Sequence, residues 1–216
     1  MLSLKNIKKA LRLYAVTDSD CLVNTTLAAA VEQALCAGVT FLQLREKNMP
    51  YEDFLAEARE LAIIAKQQNV PFVINDDVEI AIECDADGIH VGQSDIKGIN
   101  IREIIGADKI LGISVDTPEE AILAQENGAD YLGVGAVFPT STKTDASTIS
   151  YEQLCKICSS VSIPVVAIGG ICEDNIQKLA GSGIAGVAVI SAIFAKEDIK
   201  SATKDLLLLT KKIIED

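Results

Sequence analysis

Eight short runs of β-branched and aliphatic residues punctuate the chain, each separated from the next by a longer segment with helical spacing. The runs cover residues 11–18, 40–46, 71–76, 88–93, 109–115, 131–138, 163–169 and 186–191. Several are almost continuously apolar, as in PVVAIGG and GVAVIS. That pattern belongs to parallel strands covered on both faces, because antiparallel strands with one wet face alternate instead. Each strand-plus-helix unit takes roughly 25 residues, and eight such units favour a closed (β/α)₈ barrel over an open doubly wound sheet. No G-x-G-x-x-G opens a helix after the first strand, which counts against a dinucleotide site.

The intervening segments carry helix signals of their own. Tyr51, Phe54, Leu55, Ala58, Leu61, Ala62 and Ala65 recur at three- and four-residue steps and make one apolar stripe. Thr117-Pro118-Glu119-Glu120 reads as a capping box with proline at the first helical position. Asn127-Gly128, Ala37-Gly38 and Gly181-Ser182-Gly183 read as C-terminal stops.

A length of 216 residues suits one barrel domain over 1–216, and 49% hydrophobic residues suffice for its core. The net charge of −12 argues against nucleic acid or an anionic membrane as partner. It leaves room for small anions, since a few local cations or a bound metal reverse the field in one pocket. The chain does not open on a long apolar run followed by small residues, and Leu206-Leu207-Leu208-Leu209 is too short to span a bilayer. A cytoplasmic protein with reduced thiols is expected. Cys155 and Cys158 form a C-x-x-C without a second pair, on a segment that reads as helix, so packing is the expected role. Whether copies associate into a homo-oligomer is left open.

In such a barrel chemistry sits at the C-terminal strand ends. Strand two ends in Gln43-Leu44-Arg45-Glu46-Lys47. By alternation Gln43 and Arg45 share the inner face, Lys47 follows at the mouth, and Leu42 and Leu44 face the helices. An inward arginine is costly unless it meets an anion. A rim salt bridge is the competing reading, and for Glu46 it is the better one. Strand three ends in Asn75-Asp76-Asp77, and Asp95 lies just beyond strand four. Two carboxylates on neighbouring strand ends suit Mg²⁺, so Asp76 and Asp95 are the expected ligands and Asp77 the cap of the next helix. His90 lies among apolar residues within strand four, where a packed, hydrogen-bonded imidazole is expected rather than a base. Strand five presents Ser114. The loop after strand six combines Thr140, Ser141 and Thr142 with one cation, Lys143. Gly170 after strand seven and Ser191 after strand eight match the usual phosphate site of barrels, built from those two loops and the start of a short helix.

Taken in order, Gln-Leu-Arg-Glu-Lys, Asn-Asp, Asp-Gly-Ile-His-Val-Gly-Gln-x-Asp, Gly-Ile-Ser, Pro-Thr-x-Thr-Lys, Ile-Gly-Gly and Ile-Ser resemble the strand ends of the thiamine-phosphate synthase family. The resemblance implies that Gln43, Leu44, Arg45, Glu46 and Lys47, with Asn75, Ser114 and Lys143, hold an aminopyrimidine diphosphate. Within that set Arg45, Lys47, Ser114 and Lys143 would be catalytic. Thr140, Ser141, Thr142, Gly170, Ile190 and Ser191 would hold a thiazole phosphate, and Asp76 and Asp95 would bind Mg²⁺. Partners would then be small molecules. Three rivals share the barrel: a regulatory relative without the diphosphate cations, a thiazole tautomerase needing a proton-shuttling residue, and a phosphosugar enzyme with no use for the Gln-Leu-Arg-Glu-Lys cluster.

Overall fold

A computed structural model describes residues 4–47, 49–93, 100–140 and 148–214. The elements run α1 (Leu4–Ala10), β1 (Leu13–Val16), α2 (Leu27–Ala37), β2 (Phe41–Leu44), α3 (Tyr51–Gln67), β3 (Phe72–Asn75), α4 (Val78–Glu83), β4 (Gly88–Val91), α5 (Ile101–Ile105), β5 (Ile110–Val115), α6 (Pro118–Glu126), β6 (Tyr131–Val134), α7 (Tyr151–Ser160), β7 (Val165–Ile168), β8 (Gly186–Val189), α8 (Ser191–Phe194) and α9 (Ile199–Ile214). All eight expected strands are present, each within the run that predicts it. They pair in parallel in chain order, and β8 closes on β1 through Tyr14 opposite Ala188. Because every pairing is parallel, all eight C-terminal ends open on one side.

Strand parity sorts the core into two layers. Leu42, Leu44, Ile74, Ile89, Ile113 and Leu132 point outward and pack with the helices in one large buried cluster. Tyr14, Phe41, Val73, Ile110, Tyr131, Val166 and Ala188 fill the lumen. A lumen of this size is a packed core and not a pore. Its lower end is closed by Ile7 of α1 and by Leu11, which join the inner cluster. That plug was not expected from sequence, since α1 is only seven residues long, too short for its apolar positions to make a readable stripe.

The capping signals hold. The Thr117 hydroxyl accepts from the Glu120 N–H, satisfying an end donor of α6, and the Glu120 carboxylate reaches back past the cap to accept from the Asp116 N–H. Asp77 caps α4 by accepting from the Ile80 N–H at 2.9 Å. Gly38 ends α2 at φ 122°, a backbone region that side chains rarely enter. The β7–β8 connection departs from the helical rule: its helical part is a 3₁₀ turn, Ile176–Leu179. Asn175 organises that stretch by donating to the Gly170 carbonyl at 2.8 Å and accepting from the Cys172 N–H at 2.9 Å. Cys155 and Cys158 lie on α7 as free thiols. Burial pushes the Cys158 thiol up to about 12, so its thiolate is suppressed and packing is its role. Among the described residues no helix is long and apolar enough to cross a membrane.

Candidate active site

The C-terminal end of β2 carries the densest polar cluster. Alternation sends Leu44 outward, fully buried among helix side chains, so only its backbone can reach a ligand in the mouth. Gln43 points into the lumen, where its side-chain N–H donates to the Tyr14 hydroxyl at 2.5 Å. Arg45 follows on the same side and is 7% exposed, a degree of burial that a lone guanidinium does not tolerate. It is held from the β1 side. The Thr17 hydroxyl accepts from the Arg45 N–H at 2.9 Å, and the Asp18 carboxylate stands 3.9 Å from its guanidinium. The salt-bridge alternative is therefore partly realised, with Asp18 as partner rather than Glu46. Glu46 instead accepts from the Ser19 hydroxyl at 2.7 Å. Partial burial raises its pKa, opposed by that hydrogen bond and aggravated by the charges of Asp18 and Asp20. Lys47 is exposed at the rim.

Next to β2, β3 ends in Asn75, which pairs with His90 of β4 in the sheet register. The Asn75 amide donates to the Asp76 carboxylate at 2.6 Å. Asp76 has φ 65°, a left-handed conformation that costs a residue with a Cβ of order 1–3 kcal/mol and clusters at functional sites. Its N–H is secured by the His90 carbonyl at 2.9 Å. An exposed, oriented carboxylate at a strand end has the oxygen-donor chemistry a hard cation needs, so Asp76 fits the expected Mg²⁺ role. Its expected companion, Asp95, lies outside the described residues.

Below this rim the lumen holds a hydrogen-bonded polar layer. The Tyr14 and Tyr131 hydroxyls are 2.8 Å apart, Tyr131 is 2.9 Å from His90 Nδ1, and Ser114 is 2.9 Å from His90 Nε2. His90 is thus the packed, bonded imidazole expected of it. Two glycines make the layer possible. A Cβ on Gly112 would run into the Tyr131 ring and stand 2.5 Å from His90 Nδ1, and one on Gly133 would meet the imidazole at 3.1 Å. Ser114, half-buried, is further fixed through its carbonyl, which accepts from the Gln93 amide at 2.7 Å. Tyr14, Tyr131, Thr17 and Asp18 were not singled out from the sequence. The available signal was parity, since Tyr14, Val16 and Asp18 form the inward series of β1.

The opposite side of the mouth is backbone-rich. Gly170, at φ 65°, leaves no room for a Cβ against the Pro139 and Phe138 carbonyls. Thr140, next to Pro139 in the loop after β6, is half-buried, whereas Ser141, Thr142 and Lys143 lie outside the described residues. Ile190 caps the four-residue helix α8, which begins at the exposed Ser191. The short helix expected after strand eight is therefore present, with its first N–H groups at the barrel mouth.

Residues 13–193 match the family model described as thiamine monophosphate synthase. A thiamine-phosphate synthase of Clostridium tetani is 50% identical over 194 residues, which is 90% of this chain and 93% of the relative. One from Ruminiclostridium cellulolyticum is 52% identical over 195 residues, again 90% of this chain and 93% of the relative. The solved thiamine phosphate pyrophosphorylase of Pyrococcus furiosus superposes with a TM-score of 0.88 at 38% identity, covering 97% of this chain and all of that one. The chain belongs to the thiamine-phosphate synthase family and is a transferase.

Proposed function

We propose that the barrel mouth joins 4-amino-2-methyl-5-(diphosphooxymethyl)pyrimidine to 4-methyl-5-(2-phosphooxyethyl)thiazole, giving thiamine phosphate and diphosphate. The observation that carries the assignment of the site is the convergence of Gln43, Arg45, Asn75, Asp76 and Ser114 on the C-terminal ends of three strands, β2, β3 and β5, on one side of the barrel. Arg45 and Lys47, with Lys143, face the diphosphate. Gln43, Asn75 and Ser114 receive the pyrimidine, and Glu46 braces the loop through Ser19. Thr140, Ser141, Thr142, Gly170, Ile190 and Ser191 take the thiazole phosphate. Asp76 and Asp95 would hold Mg²⁺, which when bound supplies positive charge to the diphosphate oxygens. With a net charge of −12 over the whole chain, the partners are small molecules bound at the mouth and not nucleic acid or membrane, and the setting is cytoplasmic.

The reaction breaks the bond between the pyrimidine CH₂ and the diphosphate oxygen, and the thiazole nitrogen takes the carbon. That nitrogen attacks through a lone pair and has no proton to lose, so no general base is required. The lone histidine agrees: both His90 nitrogens are already engaged, by Tyr131 and Ser114. The work of the protein is to stabilise charge gathering on the leaving diphosphate. Fixed cations in a partly dehydrated pocket do this better than water, because they need no reorganisation. Holding both rings in place supplies a further part of the rate.

Mixing purified protein, Mg²⁺ and both phosphorylated heterocycles should yield thiamine phosphate and pyrophosphate in equal amounts. Pyrophosphate release without the coupled product would sink the proposal, because the diphosphate would then be leaving to water.

A further inference from the structure

The lumen layer is a single file of hydrogen bonds drawn from five strands. Gln43 Nε2 is 2.5 Å from Tyr14 Oη, Tyr14 Oη is 2.8 Å from Tyr131 Oη, Tyr131 Oη is 2.9 Å from His90 Nδ1, and His90 Nε2 is 2.9 Å from Ser114 Oγ. Each hydroxyl owns one proton, so the sense of one bond sets the sense of the next. Gln43 donates its amide N–H to Tyr14. Were Tyr14 to accept from Tyr131 as well, its own proton would be buried without an acceptor, so Tyr14 donates a hydrogen bond to Tyr131 and, by the same argument, Tyr131 donates to His90 Nδ1. A neutral imidazole that accepts at Nδ1 carries its proton on Nε2 and donates it to Ser114. Relative acidity favours the same sense, since a phenol O–H is a stronger donor than a neutral imidazole N–H. Burial pushes both tyrosines above the usual phenol range, so neither gives up its proton.

We propose that Tyr14, Tyr131 and His90 are positioning residues forming a one-way relay, which presents Gln43 to a ligand through its carbonyl oxygen and Ser114 through its hydroxyl proton. The ligand half of this inference rests on the synthase reading above. With Gln43 committed as acceptor, an exocyclic amino group on the pyrimidine finds a partner, while an oxo group at the same position faces another oxygen. Discrimination between amino and oxo pyrimidines is then set by tyrosines that never touch the ligand. A site built to hydrogen-bond one group rejects an analogue that leaves its polar atoms unpaired.

His90 is the one histidine in the chain, so long-range ¹H–¹⁵N spectra of the labelled protein report its tautomer without assignment work. The free protein near neutral pH should show the Nε2–H form, and Tyr131→Phe should release it into exchange between tautomers. Tyr14→Phe should keep the Nε2–H form, since Tyr131 still donates to Nδ1. A dominant Nδ1–H form in the wild type would reverse every bond in the file and overturn the relay. So would an unaltered tautomer in Tyr131→Phe. For the ligand arm, calorimetry compares the 4-amino pyrimidine monophosphate with its 4-oxo counterpart. Wild type should prefer the amino compound by roughly 100-fold, and Tyr14→Phe should cut that ratio at least about tenfold. Equal ratios in the two proteins would overturn the presentation of Gln43. The tautomer measurement uses no substrate, so it stands or falls separately from the synthase reading.

Discussion

Arg45 of the β2 end meets Asp18 of the β1 end across the seam between neighbouring strands, guanidinium to carboxylate, at 3.9 Å. That distance is too long for a hydrogen bond, so the pair aims the guanidinium without consuming its donors. The Thr17 hydroxyl secures the same residue through its backbone. Asp18 therefore works as an anchor, and Asp18→Ala is expected to lower kcat/KM about tenfold, mainly through KM for the pyrimidine diphosphate, because a loosened Arg45 must be ordered on binding. Steady-state kinetics with each substrate varied in turn checks this. A KM that drops in the variant would show Asp18 competing with the substrate for Arg45.

Asp76 is held in a strained left-handed conformation at the end of β3, with its carboxylate bonded to Asn75. Asp76→Ala is expected to abolish Mg²⁺-dependent turnover. Activity measured across a Mg²⁺ titration is the test. Full turnover of the variant in metal-depleted buffer would remove Asp76 from the metal site.

Lys143 is the one cation of the loop after β6, and in the proposed reaction it would add to Arg45 and Lys47 on the leaving diphosphate. Lys143→Ala is expected to lower kcat by roughly 10²–10³, as for the loss of one preorganised charge stabiliser. Single-turnover rates separate this from product release. An unchanged chemical step would exclude the side chain from the mechanism.

What the sequence shows about this molecule follows from what is local. The apolar runs mark the strands because parallel strands are buried on both faces, and alternation alone places Leu44 outward and Gln43 inward. Capping chemistry is also local, so Asp77 and Thr117 could be read directly. Contacts set by the closure of the barrel were not legible. His90 and Tyr131 are 41 positions apart, and their meeting depends on the shared register of β4, β5 and β6 around Gly112. Arg45 and Asp18, 27 positions apart, meet for the same kind of reason. The α1 plug was missed because Ile7 and Leu11 gain their partners only when the lumen above them exists.

Glu57 on α3 carries a cost that makes stability depend on pH. One of its carboxylate oxygens is buried without a hydrogen-bond partner. Burial, reinforced by the charges of Glu46 and Glu60, raises its pKa from 4.5 to about 7. In the unfolded chain the same carboxyl ionises near its ordinary value. Between those limits the folded state holds the proton that the unfolded state has lost, so stability falls as pH rises. The contribution is greatest below pH 4.5 and gone above about pH 7. Glu57→Gln keeps the shape and removes the charge. It is expected to stabilise the protein by about 1 kcal/mol at pH 8, after allowance for the screening of a half-exposed group, and to have little effect at pH 4. Urea unfolding of both proteins at the two pH values measures the difference. An equal gain at both would trace the effect to packing, and a loss at pH 8 would mean that the ionised carboxylate has a partner in solution.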